Sequence, residues 1–153
     1  MEVYILGALV GLILLIVFLH SQNNTLSITK IDVPIKALPN AFEGVNIIHL
    51  SDIHGKRFGK NQQSLIEKVN ACKPDYILVT GDLIDHRRYN EQWPLFLLQQ
   101  LRKTAPIYFV TGNHEFTSGK YEQLHPKLIQ LGVQVIRNAV VSIKREQGHI
   151  HVV

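Results

Sequence analysis

Ile47-Ile48-His49-Leu50-Ser51-Asp52-Ile53-His54-Gly55 runs an apolar segment straight into a polar pair, and the fold is read outward from it. Side chains on a strand alternate with period two, so Asp52 and His54 are expected to share a face at the strand's end. A carboxylate beside an imidazole there makes a two-pronged claw for a divalent metal. An isolated Asp-x-His is also met as a turn aspartate beside a surface histidine. Two further segments with the same order weigh against that reading: Tyr76-Ile77-Leu78-Val79-Thr80 before Gly81-Asp82-Leu83-Ile84-Asp85, and Ile107-Tyr108-Phe109-Val110-Thr111 before Gly112-Asn113-His114-Glu115.

Short apolar runs rich in Val, Ile, Tyr and Phe, with helical patterns between them, read as strands buried on both faces of an α/β sheet. Open α/β sheets bind ligands at the carboxyl ends of their strands, so the three polar clusters are expected to converge on one site. Gly55, Gly81 and Gly112 fit backbone that leaves a strand beside a bound ion with positive φ or at close approach.

The chain has 153 residues, 46% of them hydrophobic and 18% charged, which is globular material for one domain plus an apolar extreme at its start. The net charge of +4 is scattered and its adjacent basic pairs are spread along the chain, so no nucleic-acid partner is expected; two of them are Lys56-Arg57 and Arg87-Arg88. Each of these two follows a motif, and reads equally as a contact to a substrate phosphate or as a solvated face. The single cysteine, Cys72, excludes an internal disulfide.

Val3 to Leu19 is uncharged, and its 17 residues as a helix span about 26 Å against about 30 Å of hydrocarbon. The reading is a single-pass anchor in the cell membrane, with the bilayer as partner. A cleaved signal peptide competes, although Glu2 precedes the run and no small-x-small site follows it. A buried core helix is the third option. Lys30 and Lys36, the nearest cations, favour a cytoplasmic domain only weakly, and the side of the membrane stays open. Residues 1–25 are therefore taken as anchor and linker, and 26–153 as the domain.

Within the domain, Leu26 to Val33 alternates like an edge strand closed by Pro34. Val45 to Ser51 is predicted as the central strand, with Asn61 capping a helix over Leu65, Ile66 and Val69 that Pro74 closes. Pro94 suits the first turn of a helix reaching to about Lys103. Tyr121 to Leu131 is helical with Gly132 beyond its end, Val133 to Ile136 is a strand, and 140–144 with 149–153 form a hairpin.

With the Asp52-Ile53-His54, Gly81-Asp82-Leu83-Ile84-Asp85 and Gly112-Asn113-His114-Glu115 motifs in this order, the chain resembles the calcineurin-like metallophosphoesterases. It is most similar to their bacterial membrane-associated branch, which opens with wording like Leu38-Pro39-x-x-Phe42-x-Gly44 and Leu50-Ser51-Asp52-x-His54. The resemblance covers the N-terminal portion of that domain. It implies an α/β fold, part of an α/β sandwich of mixed sheets flanked by helices, behind one N-terminal transmembrane helix. It also implies two divalent metal ions, Mn, Fe or Zn. Asp52 and His54 would hold the first, Asp82 would bridge both, and Asn113 would ligate the second. His114 would stay off the metals and act on the substrate. A bridging hydroxide would then attack a phosphomonoester or phosphodiester. Asp85 and Glu115 would orient neighbours, Glu115 by fixing a histidine, with a helix N-cap as the competing reading for Asp85. His49, inside the strand, reads as a satisfied core histidine.

Members of the family complete the second metal's shell with later histidines, ending in Gly-His-x-His. Gly148-His149-Ile150-His151 matches that string but follows the polar turn Lys144-Arg145-Glu146-Gln147, so it is read as a hairpin arm, and the site as incomplete within this chain. The competing function is a non-catalytic fragment that binds one metal or acts as a membrane-tethered scaffold. An anchor beside a phosphatase-like site suggests a phospholipid or a cell-envelope phosphoester as substrate.

Overall fold

A computed structural model describes residues 2–152. The chain divides into two units, Met1–Ile31 and Asp32–Val153. The first is built on helix α1 (Glu2–Asn24), and its stretch Glu2–Leu19 has a mean hydropathy of 2.7 with none of it buried. An apolar stretch with no polar face suits lipid rather than water, and its 18 residues rise about 27 Å, close to the roughly 30 Å of hydrocarbon in a bilayer.

In the second unit, four parallel strands run in the order β1 (Ile47–Leu50), β2 (Tyr76–Thr80), β3 (Ile107–Val110) and β4 (Gln134–Val135). The register pairs His49 with Leu78, Leu78 with Tyr108, and Tyr108 with Gln134. Helices α2 (Gln63–Ala71), α3 (Gln92–Leu101), and α4 (Asn113–Thr117) with α5 (Tyr121–Gln130) connect successive strands. Because the order never reverses, crossovers of the usual right hand place all these helices on one sheet face. Ile77, Val79, Ile107 and Phe109 are buried, as are Leu65, Val69, Leu97, Leu98, Leu101, Leu124 and Leu128 from the helices. Glu91, just before α3, ion-pairs with Lys127 of α5 and accepts the Tyr89 hydroxyl at 2.6 Å.

The opposite face is covered in part by an antiparallel hairpin, β5 (Val141–Arg145) and β6 (Gly148–Val152), which forms a separate sheet. Ile143 joins Phe42, Tyr108 and Ile136 in a second core, with Leu38, Ala41, Tyr76, Leu78 and Ile150 packed around it. The α/β architecture is thus split between a parallel sheet and a hairpin.

Four local expectations are corrected. Leu26 to Val33 forms no strand, and Ile28, Ile31 and Val33 are exposed. Alternation makes a strand only where a neighbour completes the ladder, and none does among the described residues. β1 is an edge strand rather than the central one, so Ile47 and His49 are exposed instead of buried. His49 is no core histidine: it is exposed, and its Nε2 meets the hydroxyl of Thr80, which is also exposed. Asn61 does not cap α2, because Asn61 and Gln62 both take positive φ ahead of it, and buried Gln62 instead clamps the loop by accepting the Phe58 amide and donating to the Lys56 carbonyl.

The other elements lie close to where they are expected. Pro94 sits in the first turn of α3, Gly132 follows α5 with φ +77°, and the hairpin pairs Ile143 with Ile150.

Candidate metal centre

Each motif leaves the sheet as a loop at a strand's carboxyl end, and the loops are laced together by main-chain bonds. The amides of Asp52, His54 and Gly55 donate to the carbonyls of Gly81, Asp82 and Leu83 at 3.3, 2.8 and 2.9 Å. The pairing of β1 with β2 therefore continues beyond both strands. It does so in turned backbone: Asp52, His54 and Asp82 have φ of 56°, 50° and 51°. Asp and His tolerate the left-handed region at modest cost, and such residues cluster at functional sites. These turns, rather than strand alternation, bring Asp52 and His54 together, with Asp52 Oδ1 3.6 Å from His54 Nε2.

The second and third loops meet glycine against glycine. A Cβ on Gly81, whose φ is +86°, would fall 2.4 Å from the Gly112 nitrogen, and one on Gly112 would fall 2.2 Å from Asp82 Oδ1. No side chain larger than hydrogen fits either position. This approach lets Asp82 Oδ1 accept the His114 amide at 2.9 Å.

Behind the loops lies Glu115, fully buried. Its Oε2 accepts the amides of Asp82 and Gly112, both at 2.8 Å, and its Oε1 accepts those of Leu83 at 2.8 Å and Ile84 at 3.1 Å. Glu115 therefore orients main chain in two motifs, where a histidine was expected as its partner. The four donors answer the negative charge that burial would otherwise leave uncompensated.

Three side chains converge in front of this frame. One ligand atom each from His54, Asp82 and His114 lies within 4.8 Å of the other two. Asn113 opens α4 between Gly112 and His114, with an exposed side chain. The residues suit a divalent cation by donor chemistry, carboxylate oxygen with imidazole nitrogen. A second observation agrees: Nδ1 of His54 is buried without a hydrogen-bond partner, and a metal bond would satisfy it.

A neighbouring group went unnoticed in the sequence. His86 lies against His114, with ring centroids 4.5 Å apart and the two Nδ1 atoms 3.1 Å apart, and its amide donates to His114 Nδ1 at 3.2 Å. Asp85, His86 and His114 also bring one ligand atom each within 4.8 Å. His86 was missed because it belongs to no motif and faces a residue 28 positions away. Asp85 caps no helix: its Oδ1 accepts the amides of Arg87 at 2.7 Å and Arg88 at 2.8 Å within a loop. The bonds from Arg88 and Arg87 hold its carboxyl below the ordinary carboxylate range.

Two basic pairs flank these loops. Arg57 stacks over Trp93 at 4.7 Å and donates through Nε to the Gly59 carbonyl, while Arg87 and Arg88 are exposed. His149 and His151 stand exposed on β6, ring centroids 5.3 Å apart, with Ile150 on the packed side.

Comparison with known proteins points the same way. The family described as calcineurin-like phosphoesterase matches residues 45–146. A Bos taurus protein named "Transmembrane protein with metallophosphoesterase domain" is 32% identical over 146 residues, covering 94% of this chain and 33% of its own length. The Danio rerio protein of the same name is 27% identical, covering 78% of this chain and 28% of its own. An uncharacterized metallophosphoesterase of Campylobacter jejuni is 35% identical over 118 residues, covering 74% and 32%. The chain thus spans about a third of the length of these curated relatives.

Proposed function

Because the chain belongs to the calcineurin-like phosphoesterase family, we propose that it forms the membrane-anchored, metal-holding part of a phosphoesterase that cleaves a phosphomonoester or phosphodiester at a pair of divalent cations. The observation that carries this reading is the convergence of His54, Asp82 and His114 at the carboxyl ends of three parallel strands, with the unpartnered Nδ1 of His54 among them.

Asp52 and His54 would hold one cation, Asp82 would reach both, and Asn113 would serve the second. When bound, the cations supply the Lewis acidity that lowers the pKa of water and neutralises phosphate charge. The chain's own residues supply placement: the Gly81–Gly112 contact and the four amides on Glu115 hold the Asp82 and His114 segments against each other. His114 would protonate the departing oxygen, a task for which imidazole suits near-neutral pH. The metal is Mn, Fe or Zn by donor set. An apolar helix of membrane-spanning length in the same chain as such a site favours a phosphoester from phospholipid or cell envelope.

One observation favours a second reading. His149 and His151 are exposed on the hairpin, so of the ligands that the family resemblance assigns to the second cation, Asp82 and Asn113 remain among the described residues. The chain would then hold one metal tightly and act as a membrane-tethered binding fragment.

The test is calorimetric titration of the detergent-solubilised chain with Mn and with Zn, followed by assay against an aryl phosphoester. Uptake with hydrolysis supports the phosphoesterase. Uptake of one ion without hydrolysis selects the second reading, and no uptake overturns both.

A further inference from the structure

His114 presents two chemistries at once. Its ring takes part in the cluster with His54 and Asp82, as a metal ligand would, yet the proton-donating role proposed above requires a ring nitrogen that carries hydrogen. A neutral imidazole has one N–H and one lone pair, so the partner of either nitrogen decides what the other can do.

The main chain decides it. The amide of His86 has only hydrogen to offer, and it meets His114 Nδ1 at 3.2 Å, so that nitrogen must present its lone pair. The ring of His86 approaches the same atom with its own Nδ1 at 3.1 Å. Against a lone pair already facing a donor, that contact is favourable when His86 Nδ1 carries hydrogen. Two donors then converge on one acceptor. The proton of neutral His114 is left on Nε2, and a nitrogen with hydrogen has no lone pair for a cation.

Asp85 lies close by, one carboxylate oxygen within 4.8 Å of a nitrogen of each ring. Its Oδ1 is taken by the amides of Arg87 and Arg88. The His114 amide, meanwhile, is tied to Asp82 Oδ1, which fixes where the residue starts.

We infer that His86 is a positioning residue: its main-chain amide, reinforced by its ring, locks His114 in the Nε2–H form, making it a proton donor to substrate and excluding it from the metal ligands. This rests on the phosphoesterase reading for its consequence, though the tautomer itself is a property of the chain alone.

The experiment is two-bond 1H–15N spectroscopy of the full chain in detergent, with 15N-histidine, above the ordinary imidazole pKa. His114 is recognised by the signals lost in His114→Gln. A single Nε2–H tautomer for His114 and Nδ1–H for His86 is expected. A mixture of tautomers at His114, which a free imidazole shows, overturns the inference, as does Nδ1–H. Zn is then added: the His54 nitrogens are expected to shift as a ligand's do, while His114 keeps its Nε2–H signal. A metal-bound His114 overturns the inference and leaves metal binding intact, whereas failure to take up Zn overturns the proposed function and leaves the tautomer untouched. His86→Ala keeps the amide and removes the ring, so the single tautomer is expected to persist. Its loss would overturn the assignment to the main chain.

Discussion

Oε2 of Glu115 accepts the amide of Asp82 at 2.8 Å across 33 positions of sequence. The same carboxylate takes three more amides, so one buried side chain sets the backbone from which the proposed shared metal ligand projects. Glu115→Gln replaces one acceptor oxygen by an amide group that faces donors. We expect it to destabilise the domain by about 2–4 kcal/mol, with Glu115→Ala at the upper end. Urea unfolding followed by Trp93 fluorescence checks this, and a loss below about 1 kcal/mol would show that the four bonds are replaceable by water.

Three glycines separate steric from conformational effects. Gly81→Ala and Gly112→Ala would press a methyl into backbone or carboxylate, whereas Gly119 has φ +65° but open space around it. Gly119→Ala is expected to cost about 1 kcal/mol of strain. The other two should cost more and also abolish metal uptake. Equal thermal midpoints for the three would refute the close-contact argument.

Asp82→Ala is expected to remove bound metal, while His114→Gln should spare it. Loss of metal from both by elemental analysis would count against the division of roles. Replacing His149 and His151 together by Ala should leave the metal stoichiometry unchanged, since both are exposed on β6. A lost ion would make the hairpin part of the site.

Stability should fall at high pH. Burial pushes the hydroxyls of Tyr108 and Tyr121 above the usual tyrosine pKa, and burial with the bond to Glu91 does so for Tyr89. A raised folded pKa means stability that is complete below about pH 10 and lost as pH rises through the folded values. The Tyr121 hydroxyl is buried without a partner, so Tyr121→Phe should be neutral or stabilising at pH 8 and should flatten the alkaline decline. Thermal midpoints from pH 8 to pH 12 decide it. On the acid side, burial works against the Glu91 carboxylate, but the bonds from Lys127 and Tyr89 prevail and hold its pKa down. Its contribution is therefore present above the ordinary carboxylate range and lost as pH falls through the lowered value.

The apolar helix should keep the intact chain in membranes. Carbonate washing is expected to leave it in the pellet; full-length chain in the supernatant would argue against an anchor, and a shortened form would favour a cleaved signal.

What the sequence determined by itself was the set of elements and their chemistry. Three apolar runs ending in Asp-x-His, Gly-Asp and Gly-Asn-His are local signals, because strand burial and donor type are written in neighbouring residues. Pro94, Gly132 and the hairpin turn were legible for the same reason. Tertiary structure alone decided the rest. Strand order put β1 at an edge, exposed His49 and left Leu26 to Val33 without a ladder. Turned backbone at Asp52, His54 and Asp82 replaced strand alternation as the means of gathering ligands. Apart from Gly112, the partners of Glu115 and of the His114 ring lie 28 to 33 positions away and are mostly main-chain amides, which every residue but proline carries. No residue type marks such a donor in advance, so its use becomes visible only when the loops have been folded against each other.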